Sequence, residues 1–134
     1  MTCVLDASMT LSFIFNDEFT PASDRALTLI ASHGAVVPPL WDYEIASAVT
    51  NATNQSRISE ADAAAALHAL SNLRIIRSDR PVDISHLVAL AHAYGLTAYD
   101  AAYLALAMHG GLPLATLDRR LAAAASRAGV PVLQ

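Results

Sequence analysis

The sequence predicts an α/β fold: a three-layer α/β/α sandwich around a mostly parallel central sheet of about five short strands. Three observations predict it. Short apolar runs alternate along the chain with longer segments of helical periodicity. Proline, glycine or a capping hydroxyl marks most boundaries between them. The chain has 134 residues, of which 54% are apolar and 15% charged, enough to bury one core. With no repeat, low-complexity tract or long linker, residues 1–134 read as a single domain.

The elements follow in order. Residues 2–5 form an apolar strand, and a helix continues through Leu11 and Phe15. Pro21 suits the first turn of a second helix, which packs through Leu27, Leu29 and Ile30 and stops at Gly34. Residues 35–37 are a strand ended by Pro38 and Pro39. A long helix over 40–54 carries Trp41, Ile45, Ala48, Val49 and Ala52 at helical spacing. Ser59 with Asp62 gives the capping pattern of the next helix, which reaches about residue 73. The β-branched pair Ile75 and Ile76 marks a third strand over 73–77. Residues 83–94 make an amphipathic helix stopped by Gly95. Thr97 caps a helix over 98–109 that is apolar on nearly every side and is therefore expected to be central and buried. A fourth strand over 112–117, a helix over 118–128 and a last strand over 130–133 complete the alternation.

Composition excludes several functions. The formal net charge is −4 and all eight basic side chains are arginine, which argues against a non-specific nucleic-acid coat. It does not argue against a nuclease, whose carboxylates hold cations. The absence of lysine counts against a phospho-accepting receiver domain. No glycine loop cradles phosphate, and no G-x-S-x-G elbow or reactive cysteine context is present. His33, His68, His86, His92 and His109 lack metal-ligand spacing and are expected at the surface or at helix ends. The lone Cys3, the acid close to the start and the lack of a long apolar run point to a cytoplasmic protein without secretory signal or membrane span. The low charge also suggests that a partner or a second copy covers part of the surface.

Four acids stand beside apolar segments: Asp6 in VLDAS, Glu44 in YEIASAV, Asp100 in TAYDAAYLALA and Asp118 in ATLDRRL. Each has an ordinary use. Asp6 and Asp118 lie between a strand and a helix, where aspartate is a common N-cap. Asp100 follows Thr97 by three residues, as in a loose capping box. Glu44 falls in about the first turn of its helix, where the dipole favours a negative charge. Jointly they suggest more. Two acids end strands and two begin helices, so all four map to the edge holding the strands' carboxyl ends. Converging anions raise one another's pKa unless a cation neutralises them. Mg²⁺ or Mn²⁺ suits such oxygen ligands and keeps waters able to attack a phosphodiester. Ser8 and Thr116 offer hydroxyls that orient an acid or cap the backbone.

The order VLDAS, YEIASAV, LTAYDAAYLALA and LATLDRRL resembles the PIN-domain ribonucleases of the VapC toxin type, over essentially the whole chain. The most specific part is YDAAYLALA followed closely by a strand ending in T-x-D. The resemblance implies an α/β/α sandwich and an Mg²⁺- or Mn²⁺-dependent endoribonuclease, the toxin of a type II toxin–antitoxin module. It further implies an RNA substrate, a homodimer and a cognate antitoxin protein. Asp6, Glu44, Asp100 and Asp118 would form the catalytic metal site, with Thr116 and Ser8 assisting. Arg119 and Arg120, directly after Asp118, are expected to contact RNA phosphates more than Arg74, Arg77 and Arg80 around the third strand. Trp41, Tyr43, Phe13 and Phe15 are expected in the core, or else lining a groove for an antitoxin helix. The alternative is a catalytically inactive PIN-like binding or scaffold module whose acids only cap helices.

Overall fold

Cys3, Val4 and Leu5 expose no side-chain area to solvent, because they form β1 (Cys3–Leu5), a strand covered on both faces. The structure, a computed structural model, describes residues 2–133. Beside β1 lie β2 (Ala35–Val37), β3 (Ile75–Arg77), β4 (Leu114–Ala115) and β5 (Val132–Leu133). All pairings are parallel, and the strand order is β3-β2-β1-β4-β5. Seven helices connect them among the described residues: α1 (Ala7–Ile14), α2 (Pro21–His33), α3 (Leu40–Asn54), α4 (Glu60–Ser71), α5 (Ile84–Tyr94), α6 (Ala98–Gly110) and α7 (Arg119–Arg127). A 3-10 turn over Asn16–Glu18, which the sequence pattern does not mark, separates α1 from α2.

The expected α/β/α sandwich is therefore present. Right-handed crossovers put α1 to α4 on one face and α5 to α7 on the other. The packing pairs agree: α1 lies against α2, α3 and α4, and α6 lies against α5 and α7. The chain moves from β1 through β2 to β3 in one direction, and from β4 to β5 in the other. The boundary between β1 and β4 is thus a topological switch point, the place outside the strands' carboxyl ends where open α/β sheets bind ligands. Register aligns Val4 with Leu114 and Leu5 with Ala115, so Asp6 and Thr116 leave the sheet side by side.

Local chemistry sets the boundaries. Thr20 and Ser23 form a reciprocal capping box at α2, with Pro21 in its first turn. Ser59, Asp83 and Thr97 cap α4, α5 and α6 through their side chains. Gly34 ends α2 at φ +74° and lets β2 begin against Arg74, whose carbonyl accepts the Ala35 N–H at 2.9 Å.

Three expectations need correction. β4 is two residues long where a strand over 112–117 is expected. Its continuation fails because the Leu117 and Asp118 N–H groups bond to the Ser8 and Thr116 hydroxyls instead of a neighbouring strand. Similarly, α4 ends at Ser71 and β3 starts only at Ile75, since Leu73 N–H closes the end of α4 on Leu70 O. Finally, α6 packs against β1 and β4 through Ala101, Tyr103, Leu104 and Ala107, but it leaves Tyr99 and Met108 exposed. Its near-uniform apolarity reflects small alanines on the outer side, not burial all round.

Candidate active site

Asp6 is the anchor of the carboxyl edge. It is 3% exposed and serves as the N-cap of α1, taking Met9 N–H on Oδ1 at 2.9 Å. Ser8 Oγ donates to the same carboxylate at 2.8 Å and accepts Leu117 N–H at 2.9 Å. Thr116 Oγ1 donates to Asp6 Oδ2 and accepts Asp118 N–H at 3.0 Å. Two hydroxyls thus bolt the end of β1 to the end of β4, each donating to the carboxylate while satisfying a backbone N–H. Behind this layer, Thr10 Oγ1 donates to Asp6 O at 2.7 Å and accepts Trp41 Nε1–H at 2.9 Å. That bond fixes the start of α3, and with it Glu44, relative to Asp6.

Glu44 is the fifth residue of α3, just past the first turn in which it was expected; the first-turn acid is Asp42. Its Oε1 accepts the Tyr103 hydroxyl at 2.5 Å. Tyr103 is buried at the centre of α6, so the bond crosses from one face of the sandwich to the other. Asp100 sits in the first turn of α6, with Thr97 capping its N–H at 3.1 Å. Asp118 caps α7 by accepting Arg120 and Leu121 N–H on Oδ1, which leaves Oδ2 outside the cap.

Electrostatic coupling ties the four acids together. Burial pushes the Asp6 carboxyl from 3.8 up to about 6, and the charge of Asp118 adds to the rise. Hydrogen bonds from Thr116, Met9 N–H and Ser8 oppose the rise but do not cancel it. Burial also raises Glu44, with a further push from Asp100 and an opposing bond from Tyr103. Asp100 is raised by burial and by Asp118, against Thr97 and Arg120. Burial, then Glu44, Asp6 and Asp100, hold the Tyr103 phenol firmly protonated. Among the described residues the ion pairs lie elsewhere, joining Arg57 to Asp17 and Glu18, and Arg77 to Asp42.

The chemistry of this donor set fits a hard divalent cation. Its oxygens are carboxylates and hydroxyls, its best-placed acid is buried without a cationic partner, and its charges oppose one another. Among the described residues, no three acidic, histidine or cysteine side chains already converge as a closed ligand set. The arrangement is an open rim, as suits an ion that takes only one or two carboxylates and keeps its waters.

The structure brings Asp6, Ser8, Glu44, Asp100, Thr116 and Asp118 to one edge. Arg120 lies close enough to lower Asp100, and Arg119 is exposed beside it at the start of α7. The other arginines do not converge there as a group. Arg77 grips Asp42 and covers the Trp41 ring, Arg74 bonds to His33 O, and Arg80 contacts His109. Trp41 and Phe15 are core residues, and all five histidines are exposed. Tyr103 is the site residue that the sequence reading misses. Its signal was a hydroxyl within the alanine- and leucine-rich part of α6, one turn after an acid, where a buried phenol needs an acceptor.

Comparison with known proteins bears on the family and the fold. The PIN domain family model matches residues 3–126. The VapC ribonuclease Mb0985 of Mycobacterium bovis is 36% identical over 118 residues, covering 88% of this chain and 87% of that protein. Ribonuclease VapC1 of Mycobacterium tuberculosis is 37% identical over 125 residues, covering 91% and 90%. Among solved structures, PAE2754 from Pyrobaculum aerophilum superposes with a TM-score of 0.71 at 26% identity, covering 99% of this chain and 92% of that one. A toxin–antitoxin complex from Klebsiella pneumoniae gives 0.61 at 19% identity over 98% and 96%, a likeness of fold.

Proposed function

The chain belongs to the PIN-domain family, and we propose that its carboxylate edge is the metal site of an endoribonuclease, the toxin of a toxin–antitoxin module. The observation that carries this reading is Asp6: buried at the switch point, clamped by Ser8 and Thr116, and coupled to Asp118. Relatives named as ribonucleases, matched over most of both chains, support RNA as the substrate.

Asp6, Glu44, Asp100 and Asp118 would hold Mg²⁺ or Mn²⁺. When bound, the ion would lower the pKa of a water and stabilise charge on the scissile phosphate. The protein's own residues prepare for it. Ser8 and Thr116 fix the Asp6 carboxylate in rotation, and Tyr103 fixes Glu44. Because Asp6 binds a proton up to a pH of about 6, proton and cation compete for the same oxygens. A water nucleophile leaves a 5′-phosphate and a 3′-hydroxyl. A cognate antitoxin protein and a second copy of the chain are the partners this reading adds. Among the described residues no helix is long and apolar enough to cross a membrane.

The test is cleavage of total RNA with Mg²⁺ or Mn²⁺, with EDTA controls. Asp6→Asn and Asp100→Asn should each lower the rate by at least about a hundredfold with an unchanged circular-dichroism spectrum. Cleavage that survives chelation, or ignores both substitutions, refutes the mechanism and favours a scaffold role.

A further inference from the structure

The aromatic residues of this chain are mostly buried or partnered. Arg57 covers Phe15, Arg77 covers Trp41, Arg127 covers Tyr94, and Tyr103 bonds to Glu44. Tyr43 and Tyr99 differ. They are 79% and 66% exposed, and among the described residues neither has a hydrogen-bond or cation–π partner. Each directly precedes a site acid, Glu44 or Asp100.

Helix geometry places both at the rim of the site. On α3, Trp41 and Ile45 face inward and Asp42 reaches Arg77, which leaves Tyr43 facing out beside Glu44. On α6, Tyr99 precedes Tyr103 by one turn on the same stripe, and Tyr103 touches Glu44. Side chains lean toward their helix N-terminus, so both rings lean toward the solvent side of the carboxylates.

Resting on the ribonuclease reading above, we propose that Tyr43 and Tyr99 are stacking platforms for unpaired nucleobases flanking the scissile phosphate. Affinity for a polyanion has to come from somewhere. The chain carries net charge −4 without a lysine, Arg57 and Arg77 are spent on ion pairs with acids among the described residues, and the site edge is itself acidic. Phosphate neutralisation is therefore a poor handle here. Stacking on an aromatic face is indifferent to that charge and to base identity. Bases inside a duplex offer no free face, so the ligand is single-stranded. Each ring adjoins a carboxylate of the site along its helix, which suits bases on either side of a phosphate better than a protein helix.

The experiment measures fluorescence anisotropy of an unpaired oligoribonucleotide of about twelve residues, and of its duplex, with Mg²⁺ present. An Asp6→Asn background prevents cleavage. Tyr43→Ala and Tyr99→Ala should each weaken single-strand binding about fivefold to a hundredfold, while Tyr→Phe at either position retains it. In the cleaving protein the same loss should fall on KM rather than kcat. Alanine variants that bind and cleave RNA like the parent, or equal affinity for the duplex, overturn the proposal. The first outcome would assign the rings to a protein partner. A parent that cleaves RNA beside unaffected tyrosine variants sinks only the platforms; a parent that neither binds nor cleaves RNA sinks both readings.

Discussion

Asp6 carries two duties that pull against each other. As an N-cap it belongs where it is, with Met9 N–H satisfied at 2.9 Å. As a carboxylate at 3% exposure it is held in a place that penalises its charge. Three hydrogen bonds fail to offset burial, so a cation would resolve the conflict better than any group the chain supplies. Thr116 is the most informative residue to change. Thr116→Val keeps the volume, yet it removes a donor to Asp6 and the acceptor of Asp118 N–H. Cleavage measured against metal concentration should fall about tenfold to a hundredfold. Urea unfolding should show about 1–3 kcal/mol of lost stability, from buried groups left unpaired. At this scale the acids were legible because each interrupts an apolar run at an element boundary. Tyr103 was not, because its hydroxyl is one atom on a side chain that otherwise reads as core.

Elements position these residues to within a turn. The sequence marks α3 correctly and sets Glu44 near its start, but the dipole argument belongs to another residue. A dipole-stabilised first-turn acid exists there, and it is Asp42, spent on Arg77. Glu44 acts from the next turn because Tyr103 reaches it from the opposite layer, a contact between residues 59 apart. Strand ends were equally hard to read. Nothing local says that Leu117 and Asp118 N–H groups will abandon the ladder for hydroxyls, one of them 109 residues away. Gly34 is the element boundary most exposed to test. Its φ of +74° and ψ of −176° lie in a region that is essentially glycine's alone, and a Cβ would stand 2.6 Å from Arg74 O. Gly34→Ala should lower stability by about 1–3 kcal/mol, read as a lower urea midpoint with an unchanged slope.

The whole molecule is built around an edge that opposes its own stability. Asp6 titrates at about 6 when folded against 3.8 ordinarily, so the folded chain binds more protons between those values. Its contribution is complete below 3.8 and is lost as pH rises through about 6. The loss from this group amounts to about 3 kcal/mol. Glu44 and Asp100 shift in the same direction, while Asp42, lowered by its bond to Arg77, works the opposite way on acidification. Unfolding free energy without divalent cation should therefore fall between pH 4 and 7 (about 3 kcal/mol from Asp6 alone), with Asp6→Asn flattening the curve. A curve that rises across that range would contradict the buried-acid account.

The alternation of apolar runs and helical periods determined the class, because strand and helix each demand a periodic pattern that side chains must obey whatever lies beyond. The same local reading determined which acids fall at strand ends and helix starts. Only the tertiary structure decided how they meet. The strand order sets β1 beside β4, so Asp6 and Thr116, 110 residues apart, share a hydrogen bond. It also decided that a tyrosine in an apolar helix holds Glu44 while two others stand bare at the rim. Such contacts depend on which elements become neighbours, and that follows from burying one common core rather than from any segment's own pattern.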